Sequence, residues 1–269
     1  MNSNYQTYFG LTAEPFKSDL RQDEILHTDE LRSVKKRFDY AVRLGGVALI
    51  TGDIGSGKST ALRYASDALR ASEHKVFYVT ATSGPILELY RQISDEMGIH
   101  ATGRSKAAMT GHIRKEVREI VEGKRMKAVL VVDEASLLRL DVIAELHTLT
   151  QFNKDSKPWL PIIFAGQSML VDKLMYRTSA PLASRIVTRS HLEGLNLDGM
   201  KLYIEHHLRL AGIQSPLFED AAITAVHQGS GGLLRKSNHI ARGALMAATQ
   251  AQSKTVNADH VRLAATEIF

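Results

Sequence analysis

The chain has 269 residues, of which 44% are apolar and 23% charged, so it can bury a core and is not wholly disordered. It contains no cysteine, which excludes disulfides, thiolate metal sites and thiol catalysis and fits a reducing cytoplasm. No run of about eighteen apolar residues predicts a transmembrane helix, and the polar N-terminus lacks a signal-peptide core. We therefore expect a cytoplasmic protein without a membrane partner.

The net charge of +5 is concentrated in one part of the chain. The segment Arg104–Lys127, called the basic segment below, holds eight Lys and Arg residues and three Glu residues. The rest of the chain holds 26 basic and 26 acidic residues and is therefore neutral. This uneven distribution indicates a local basic surface rather than a generally basic protein.

Apolar patterns predict alternating strands and helices up to residue 192. The predicted strands are 47–51, 75–80, 128–132, 160–165 and 185–192. The predicted helices are 30–44, 59–71, 85–97, 113–122 and 141–152, with Asp141 as a cap, whereas segments 1–30 and 98–111 lack a regular pattern. Strands that alternate with helices of this length predict an α/β fold, a parallel sheet with helices on both faces.

Beyond Gly194 the apolar pattern is helical only. The predicted helices are 198–210, 218–228, 233–250 and 257–268, with Asp198 and Asn257 as N-caps. We therefore predict two domains, an α/β core with an N-terminal lead-in over residues 1–193 and a small all-helical lid over residues 194–269.

The eight residues that directly follow the first predicted strand match the phosphate-loop pattern G-x-x-x-x-G-K-[ST]. This phosphate loop consists of Gly52, Asp53, Ile54, Gly55, Ser56, Gly57, Lys58 and Ser59. Small residues let the backbone N–H groups surround a phosphate chain, and the next helix, with Thr60 in its first turn, adds its positive end. Lys58 supplies charge to the phosphates of ATP, and the Ser59 hydroxyl is placed for Mg²⁺. The strand before and the helix after favour this interpretation over a chance glycine-rich turn.

A pair of carboxylates, Asp133 and Glu134, follows the apolar strand 128–132. Ligands bind at the carboxyl edge of open α/β sheets, so we expect Asp133 to hold Mg²⁺ and Glu134 to orient the attacking water. The alternative is that the pair only caps the next segment. Gln167 follows the strand 160–165 and is either a further contact to the γ-phosphate or water, or a solvated loop residue.

With these motifs in order, the chain resembles the AAA+ ATPases, within them the ExeA-like group and the Mu B and TnsC type transposition ATPases. The resemblance covers nearly the whole chain. The matching stretches are YFGLTAEPF at 8–16, the phosphate loop, VVDEA at 131–135, IAELHTLTQF at 143–152, LPIIFAGQ at 160–167, LASRIVTR at 182–189 and GGLLRKSNHIARGAL at 231–245.

The resemblance implies further roles. Arg185, or Arg189 as second choice, corresponds to an arginine finger that neutralises transition-state charge on the nucleotide of a neighbouring subunit. Arg235, in Gly232-Leu-Leu-Arg235, corresponds to sensor 2, and Gln167 corresponds to sensor 1, although many relatives have Asn or Thr there. The alternative for Arg185 and for Arg235 is an ordinary ion pair. A finger that acts in trans implies ATP-dependent, head-to-tail assembly into a ring or filament.

The resembling families divide into two functional classes. ExeA-type proteins energise the assembly of a secretion complex and continue into a membrane segment, whereas the Mu B and TnsC type bind DNA and pass a target to a transposase. The chain ends at Phe269 without such a segment, so we expect the second class. A third possibility is a nucleotide-dependent binding switch with negligible hydrolysis.

The basic segment lies where the transposition ATPases place DNA-contacting loops. Arg104, Lys106, Thr110 and Arg114 are the predicted DNA contacts. The absence of aromatic residues from the segment argues against base stacking and favours contact with the backbone of duplex DNA. The alternative is a solvated helix face, because Glu116 and Glu119 alternate with the basic residues.

Overall fold

The computed structural model describes residues 4–99 and 105–266. This part of the chain divides into two compact units. The sheet unit comprises residues 29–52 and 58–192, and the helical unit comprises residues 4–28, 53–57 and 193–266. The N-terminal lead-in and the centre of the phosphate loop thus group with the C-terminal helices. The division into domains 1–193 and 194–269 stays a prediction.

The sheet unit is built on five parallel strands in the order β2-β3-β4-β1-β5. The strands are β1 (Val47–Gly52), β2 (His74–Thr80), β3 (Lys127–Asp133), β4 (Ile162–Gly166) and β5 (Ile186–Leu192). Every residue of β1 and β4 is buried, as the continuous apolar runs predict for strands covered on both faces. The predicted fold class, a parallel sheet with helices on both faces, is confirmed.

Helices of the sheet unit cover this sheet with apolar side chains. They are α2 (Asp29–Leu44), α3 (Lys58–Asp67), α4 (Ile86–Glu96), α5 (Lys106–Arg118), α6 (Leu140–Leu146), α7 (Met169–Met175) and α8 (Ala180–Ala183). A π-helical turn over Glu119–Gly123 continues α5, and a 3₁₀ turn over His147–Thr150 continues α6. Leu89, Ile113 and Val142 show how α4, α5 and α6 contribute to one buried core with the strands.

The structure corrects three details of the predicted elements. Segment 98–111 was predicted to be irregular, but α5 begins at Lys106 because the Ser105 side chain accepts the N–H of Ala108 and Met109 is buried. The predicted helix 141–152 is shorter, and its N-cap is Arg139 rather than Asp141. Asn196, rather than Asp198, caps the next helix by accepting the N–H of Gly199 at 2.8 Å.

The helical unit has its own apolar core, to which the lead-in contributes Tyr5 and Phe16. Its helices are α1 (Asn4–Phe9), α9 (Leu197–Leu210), α10 (Asp220–Ser230), α11 (Leu234–Gln250) and α12 (Ala258–Thr266). Within the described residues of both units, no helix is long and apolar enough to span a bilayer.

Candidate nucleotide site

The strand order places the predicted site residues of the sheet unit at one edge. β4 lies between β3 and β1, so the carboxyl ends of three neighbouring strands meet there. Lys58 follows β1 through the phosphate loop, Glu134 follows β3, and Gln167 follows β4. Gln167 is half-buried, and its neighbour Gly166 approaches the backbone of Ser136 so closely that an added Cβ would lie 2.8 Å from its nitrogen.

Asp133 is buried and accepts hydrogen bonds from two hydroxyl groups at the same carboxylate oxygen. The Ser59 hydroxyl donates to Oδ2 at 2.8 Å, and the Tyr78 hydroxyl donates to it at 2.6 Å. The other oxygen accepts the backbone N–H of Glu134 at 2.8 Å. The structure therefore brings Ser59 and Asp133 together, as the sequence predicts, and adds Tyr78, which sequence reasoning missed.

The ammonium group of Lys58 and the carboxylate of Glu134 differ in their surroundings. Lys58 is buried and donates to the carbonyl oxygen of Gly52 at 2.9 Å, which fixes the side chain along the loop that carries it. Glu134 is half-buried, and its φ of 51° lies in the left-handed region. That conformation turns the backbone sharply at Glu134, so the chain leaves the direction of β3 directly after Asp133.

The centre of the phosphate loop contacts the first turn of α11 within the helical unit. The N–H of Arg235 donates to the carbonyl oxygen of Gly55 at 3.2 Å. Gly55 has a φ of +84°, and an added Cβ would lie 2.9 Å from the Cβ of Arg235. Gly57 has a φ of +99°, and an added Cβ would lie 2.9 Å from Leu234. Both positions therefore favour glycine for backbone conformation, and Gly55 favours it for space as well, because its neighbour is the Cβ of Arg235 and not the end of a flexible side chain. The side chain of Arg235 is exposed.

Two groups of the loop fit a bound phosphate and Mg²⁺. The Ser56 hydroxyl is buried and has no hydrogen-bond partner in the described part of the chain, which suits an acceptor supplied by a ligand. The buried ammonium of Lys58 suits an anion. Ser59 and Asp133 provide a hydroxyl and a carboxylate, the hard oxygen ligands that Mg²⁺ prefers, and Mg²⁺ needs only one or two such ligands besides phosphate and water. No group of three or more Asp, Glu, His or Cys side chains that could hold a metal ion occurs among residues 4–99 and 105–266.

The two arginine-finger candidates have different environments in the sheet unit. The Arg185 side chain is 23% exposed and pairs with Asp155 at 2.6 Å. It also donates to the hydroxyl of Thr150 at 3.1 Å and to the carbonyl oxygen of Pro181 at 2.8 Å. Arg189 is exposed on β5. Arg185 therefore has a local ion pair, which is the alternative to the arginine-finger role. A contact of its side chain with another subunit would require that these bonds break.

Of the predicted DNA contacts, Lys106, Thr110 and Arg114 lie on α5, and Arg104 falls outside the described residues. Lys106 is exposed and pairs with Glu145 at 2.9 Å, and the Thr110 hydroxyl donates to the Lys106 carbonyl oxygen. Arg114 is half-buried and lies over the Phe152 ring, 5.4 Å from its centroid. Other basic side chains of the segment are exposed, namely Lys115, Arg118, Lys124, Arg125 and Lys127.

Comparison with known proteins agrees with this geometry. Residues 42–174 match the family model described as an AAA domain. General secretion pathway protein A of Aeromonas hydrophila is 28% identical over 267 residues, which is 98% of this chain and 48% of that protein. The chain thus spans about half the length of the curated relative that it matches.

Solved structures with a similar fold come from several organisms. Cdc6p from Pyrobaculum aerophilum has a TM-score of 0.73 at 15% identity, over 94% of this chain and 70% of that one. The Aeropyrum pernix ORC1 protein in complex with DNA has a TM-score of 0.70 at 20% identity, over 94% and 68%. The Thermotoga maritima RuvB Holliday junction branch migration motor has a TM-score of 0.57 at 17% identity, over 91% and 71%. The chain shares the fold of these three proteins.

Proposed function

We propose that this chain is a Mg²⁺-dependent AAA+ ATPase that assembles head to tail on duplex DNA and acts as a transposition target-selection regulator, recruiting or activating a transposase. The observation that carries the ATPase assignment is the hydrogen bond of 2.8 Å from Ser59 to Asp133. Ser59 is the last residue of a complete phosphate loop, and Glu134 follows Asp133 in the chain. The regulatory role is supported by the exposed basic residues of α5 and by the resemblance to transposition ATPases.

Each residue of the site has a defined part in ATP hydrolysis. The loop N–H groups and Lys58 bind the phosphates, and Ser59 and Asp133 would hold Mg²⁺, which neutralises phosphate charge when bound. Glu134 orients the attacking water and accepts hydrogen bonds from it, and Gln167 contacts the water or the γ-phosphate. Arg235 contacts the nucleotide of its own subunit.

The arginine finger connects hydrolysis to assembly. Arg185, with Arg189 as second choice, neutralises charge on the nucleotide of the adjacent subunit, so the complete site forms only between copies. Contacts that repeat head to tail produce a ring if the rotation closes and a helical filament if it does not. Cytoplasmic location and ATP-dependent DNA binding belong to the same proposal.

Substitution of the catalytic glutamate tests the enzyme assignment. We expect Glu134→Gln to lower ATP turnover at least about 100-fold, because an amide cannot accept the proton of the attacking water, while ATP affinity and ATP-dependent assembly persist. Turnover is measured as phosphate release with and without duplex DNA, and assembly by light scattering. Glu122→Gln, an exposed glutamate at the end of the π-helical turn, is the control. A wild-type protein without turnover in either condition would reduce the function to a nucleotide-dependent binding switch.

Charge reversal tests the DNA assignment. We expect binding to a non-specific duplex with ATP but not with ADP, and a loss of at least about ten-fold in affinity for Arg104→Glu combined with Lys106→Glu. Lys201→Glu is a matched control, because Lys201 is 49% exposed and paired with Asp220, whereas Lys106 is 50% exposed and paired with Glu145. Equal binding with ATP and ADP, or equal losses in variant and control, contradicts the proposal.

The similarity to General secretion pathway protein A favours a second candidate, an ATPase that acts in the assembly of a secretion complex. The two candidates share the ATP chemistry and differ in the macromolecule that stimulates it. Stimulation of turnover by duplex DNA supports the first candidate. Turnover that is indifferent to DNA but increases with a partner co-purified from a secretion apparatus supports the second.

A further inference from the structure

The guanidinium of Arg185 donates three hydrogen bonds to acceptors of its own chain. Three different acceptors bind it: the Thr150 hydroxyl and the Asp155 carboxylate, which lie on one segment, and the Pro181 carbonyl oxygen on another. Asp155 contributes the charged bond, at 2.6 Å. In this arrangement the donors of Arg185 are directed at its own chain, so the residue is withdrawn from any neighbouring nucleotide.

The backbone that presents Asp155 has an unusual conformation. Asn153, Lys154 and Asp155 have φ values of 45°, 58° and 66°, three successive left-handed residues without a glycine, called the left-handed turn below. A left-handed residue other than glycine costs roughly 1–2 kcal/mol, and such residues normally occur singly. Asn and Asp tolerate this conformation better than other residues, so the cost falls mainly on Lys154 and on the succession of three. The turn is exposed and is closed by hydrogen bonds from the N–H groups of Ser156 and Lys157 to the Phe152 carbonyl oxygen. Additional contacts are needed to hold a strained backbone of this kind.

Arg114 on α5 supplies such contacts next to the turn. Arg114 donates to the carbonyl oxygen of Gln151, and its guanidinium lies over the ring of Phe152. Phe152 is itself buried and packs on Trp159, with ring centroids 5.5 Å apart. The segment from Thr150 to Asp155 is therefore bonded to Arg185 at both of its ends and held by Arg114 at the two residues that follow Thr150.

We propose that the left-handed turn holds Arg185 in a withdrawn position through Asp155, and that Arg114 maintains the turn and thereby couples Arg185 to contacts made by α5. Asp155 and Arg114 are positioning residues that act through Arg185. A polyanion that attracts Arg114 removes its bonds to Gln151 and Phe152, the strained turn relaxes, and Arg185 becomes available to the phosphates of a neighbouring copy. This inference rests on the proposed function for the use that is made of Arg185.

Chemical modification tests the withdrawn state without any measurement of activity. Full-length protein without nucleotide is treated with phenylglyoxal, and modification of each arginine is followed by mass spectrometry. We expect Asp155→Asn and Arg114→Gln each to raise the rate at Arg185 about three-fold or more, the range expected for a partly exposed ion pair, and to leave Arg189 unchanged. Asp141→Asn is the matched control, because it removes an exposed aspartate from its pair with Arg139. An unchanged Arg185 rate in Asp155→Asn overturns the inference, and an unchanged rate in Arg114→Gln overturns the coupling.

Turnover measurements then test the link to hydrolysis. We expect Asp155→Asn to raise ATP turnover without DNA about three-fold and to reduce the further stimulation by a duplex. In an Arg185→Ala background the same substitution should change nothing, which a purely structural effect on folding would not reproduce. An equal effect of Asp155→Asn in both backgrounds overturns the inference. A wild-type protein without turnover refutes the proposed function instead, and the modification rates still decide whether Arg185 is withdrawn.

Discussion

At the scale of single residues, the Tyr78 hydroxyl completes the hydrogen bonding of Asp133, the proposed magnesium ligand. Burial, and after it the hydrogen bond to Asp133, raises the pKa of Tyr78 above its ordinary value. The hydroxyl therefore stays protonated and donates to the carboxylate near neutral pH. This donor restricts the rotation of Asp133, which Ser59 alone would leave freer.

The first prediction is that Tyr78→Phe weakens magnesium-dependent catalysis. A hydrogen bond to a charged group contributes about 1.5–3 kcal/mol, and part of that loss is recovered by the remaining donors to Asp133. We expect ATP turnover to fall about five- to ten-fold and the Mg²⁺ concentration for half-maximal activity to rise. Tyr203→Phe, which removes a buried hydroxyl bonded to Asn238 in the helical unit, is the control. Identical kinetics of Tyr78→Phe and wild type would contradict this role.

His207 is a buried titratable residue in the core of the helical unit. Its ring stacks on Phe16 at 5.3 Å, and its Nε2 has no hydrogen-bond partner among the described residues. Burial, with smaller contributions from the charges of His206, Arg242 and Lys17, lowers the pKa of His207 to about 3. The folded state therefore holds the imidazole neutral.

The second prediction follows from this pKa. The unfolded chain takes up a proton near pH 6.5, whereas the folded chain does so only near pH 3, so the unfolded state binds more protons between these values. The contribution of His207 to the free energy of unfolding is complete above pH 6.5 and decreases as the pH falls, by up to about 1.4 kcal/mol per pH unit. We expect the free energy of unfolding, measured with urea between pH 7 and pH 5, to change less with pH in His207→Phe than in the wild type. Equal slopes would show that His207 does not titrate in this way.

At the scale of elements, the structure shows which sequence signals were sufficient. β1 and β3 were predicted to within a residue or two because their runs are continuously apolar and buried. The start of α5 was not, because Met109 is the one large apolar residue among residues 106–112 and a single such residue gives no helical period. The left-handed turn was not predicted either, since Asn-Lys-Asp contains no glycine. Lys58, Ser59 and Asp133 were predictable from motif spacing, whereas Tyr78 depends on the pairing of β2 with β3.

The third prediction compares two glycines with similar backbones. Gly55 and Gly98 have φ values of +84° and +74°, but an added Cβ meets Arg235 at Gly55 and open space at Gly98. We expect Gly98→Ala to lower the free energy of unfolding by about 1 kcal/mol and leave ATP affinity unchanged. Gly55→Ala should weaken ATP binding at least about ten-fold, because the loop must move away from α11. Titration calorimetry and urea unfolding measure the two effects, and equal ATP affinities of the two variants would contradict the prediction.

At the scale of the whole molecule, the net charge of +5 is carried by the basic segment, and the structure places the later part of that segment on α5 and the turn after it. Lys106 and Arg114 have partners within the chain, whereas Lys115 and Arg118 lie on the exposed face, with Arg118 only 4.0 Å from Glu122. Binding of DNA through this surface therefore competes with internal contacts at Lys106 and Arg114, and with weaker surface ion pairs at Arg118 and Lys124.

The fourth prediction is a steep salt dependence of DNA binding. Neutralisation of about three phosphates per subunit gives a slope of log K against log salt near −2.7 for each subunit. Arg118→Gln should reduce the magnitude of that slope by about 1 if Arg118 contacts one phosphate. Fluorescence anisotropy with a labelled duplex between 50 and 200 mM salt, roughly the range in which phosphate contacts dominate, provides the measurement. A salt-independent affinity would exclude binding through the phosphate backbone.

The strand order also has a consequence for the synthesis of the chain on the ribosome. β1 ends at Gly52, but both of its strand neighbours come much later, since β4 begins at Ile162 and β5 at Ile186. At about 5–20 residues per second, the nascent β1 waits roughly 5 to 20 s for its first partner. During that time a mainly apolar segment has unpaired backbone groups, which exposes it to aggregation unless a chaperone covers it.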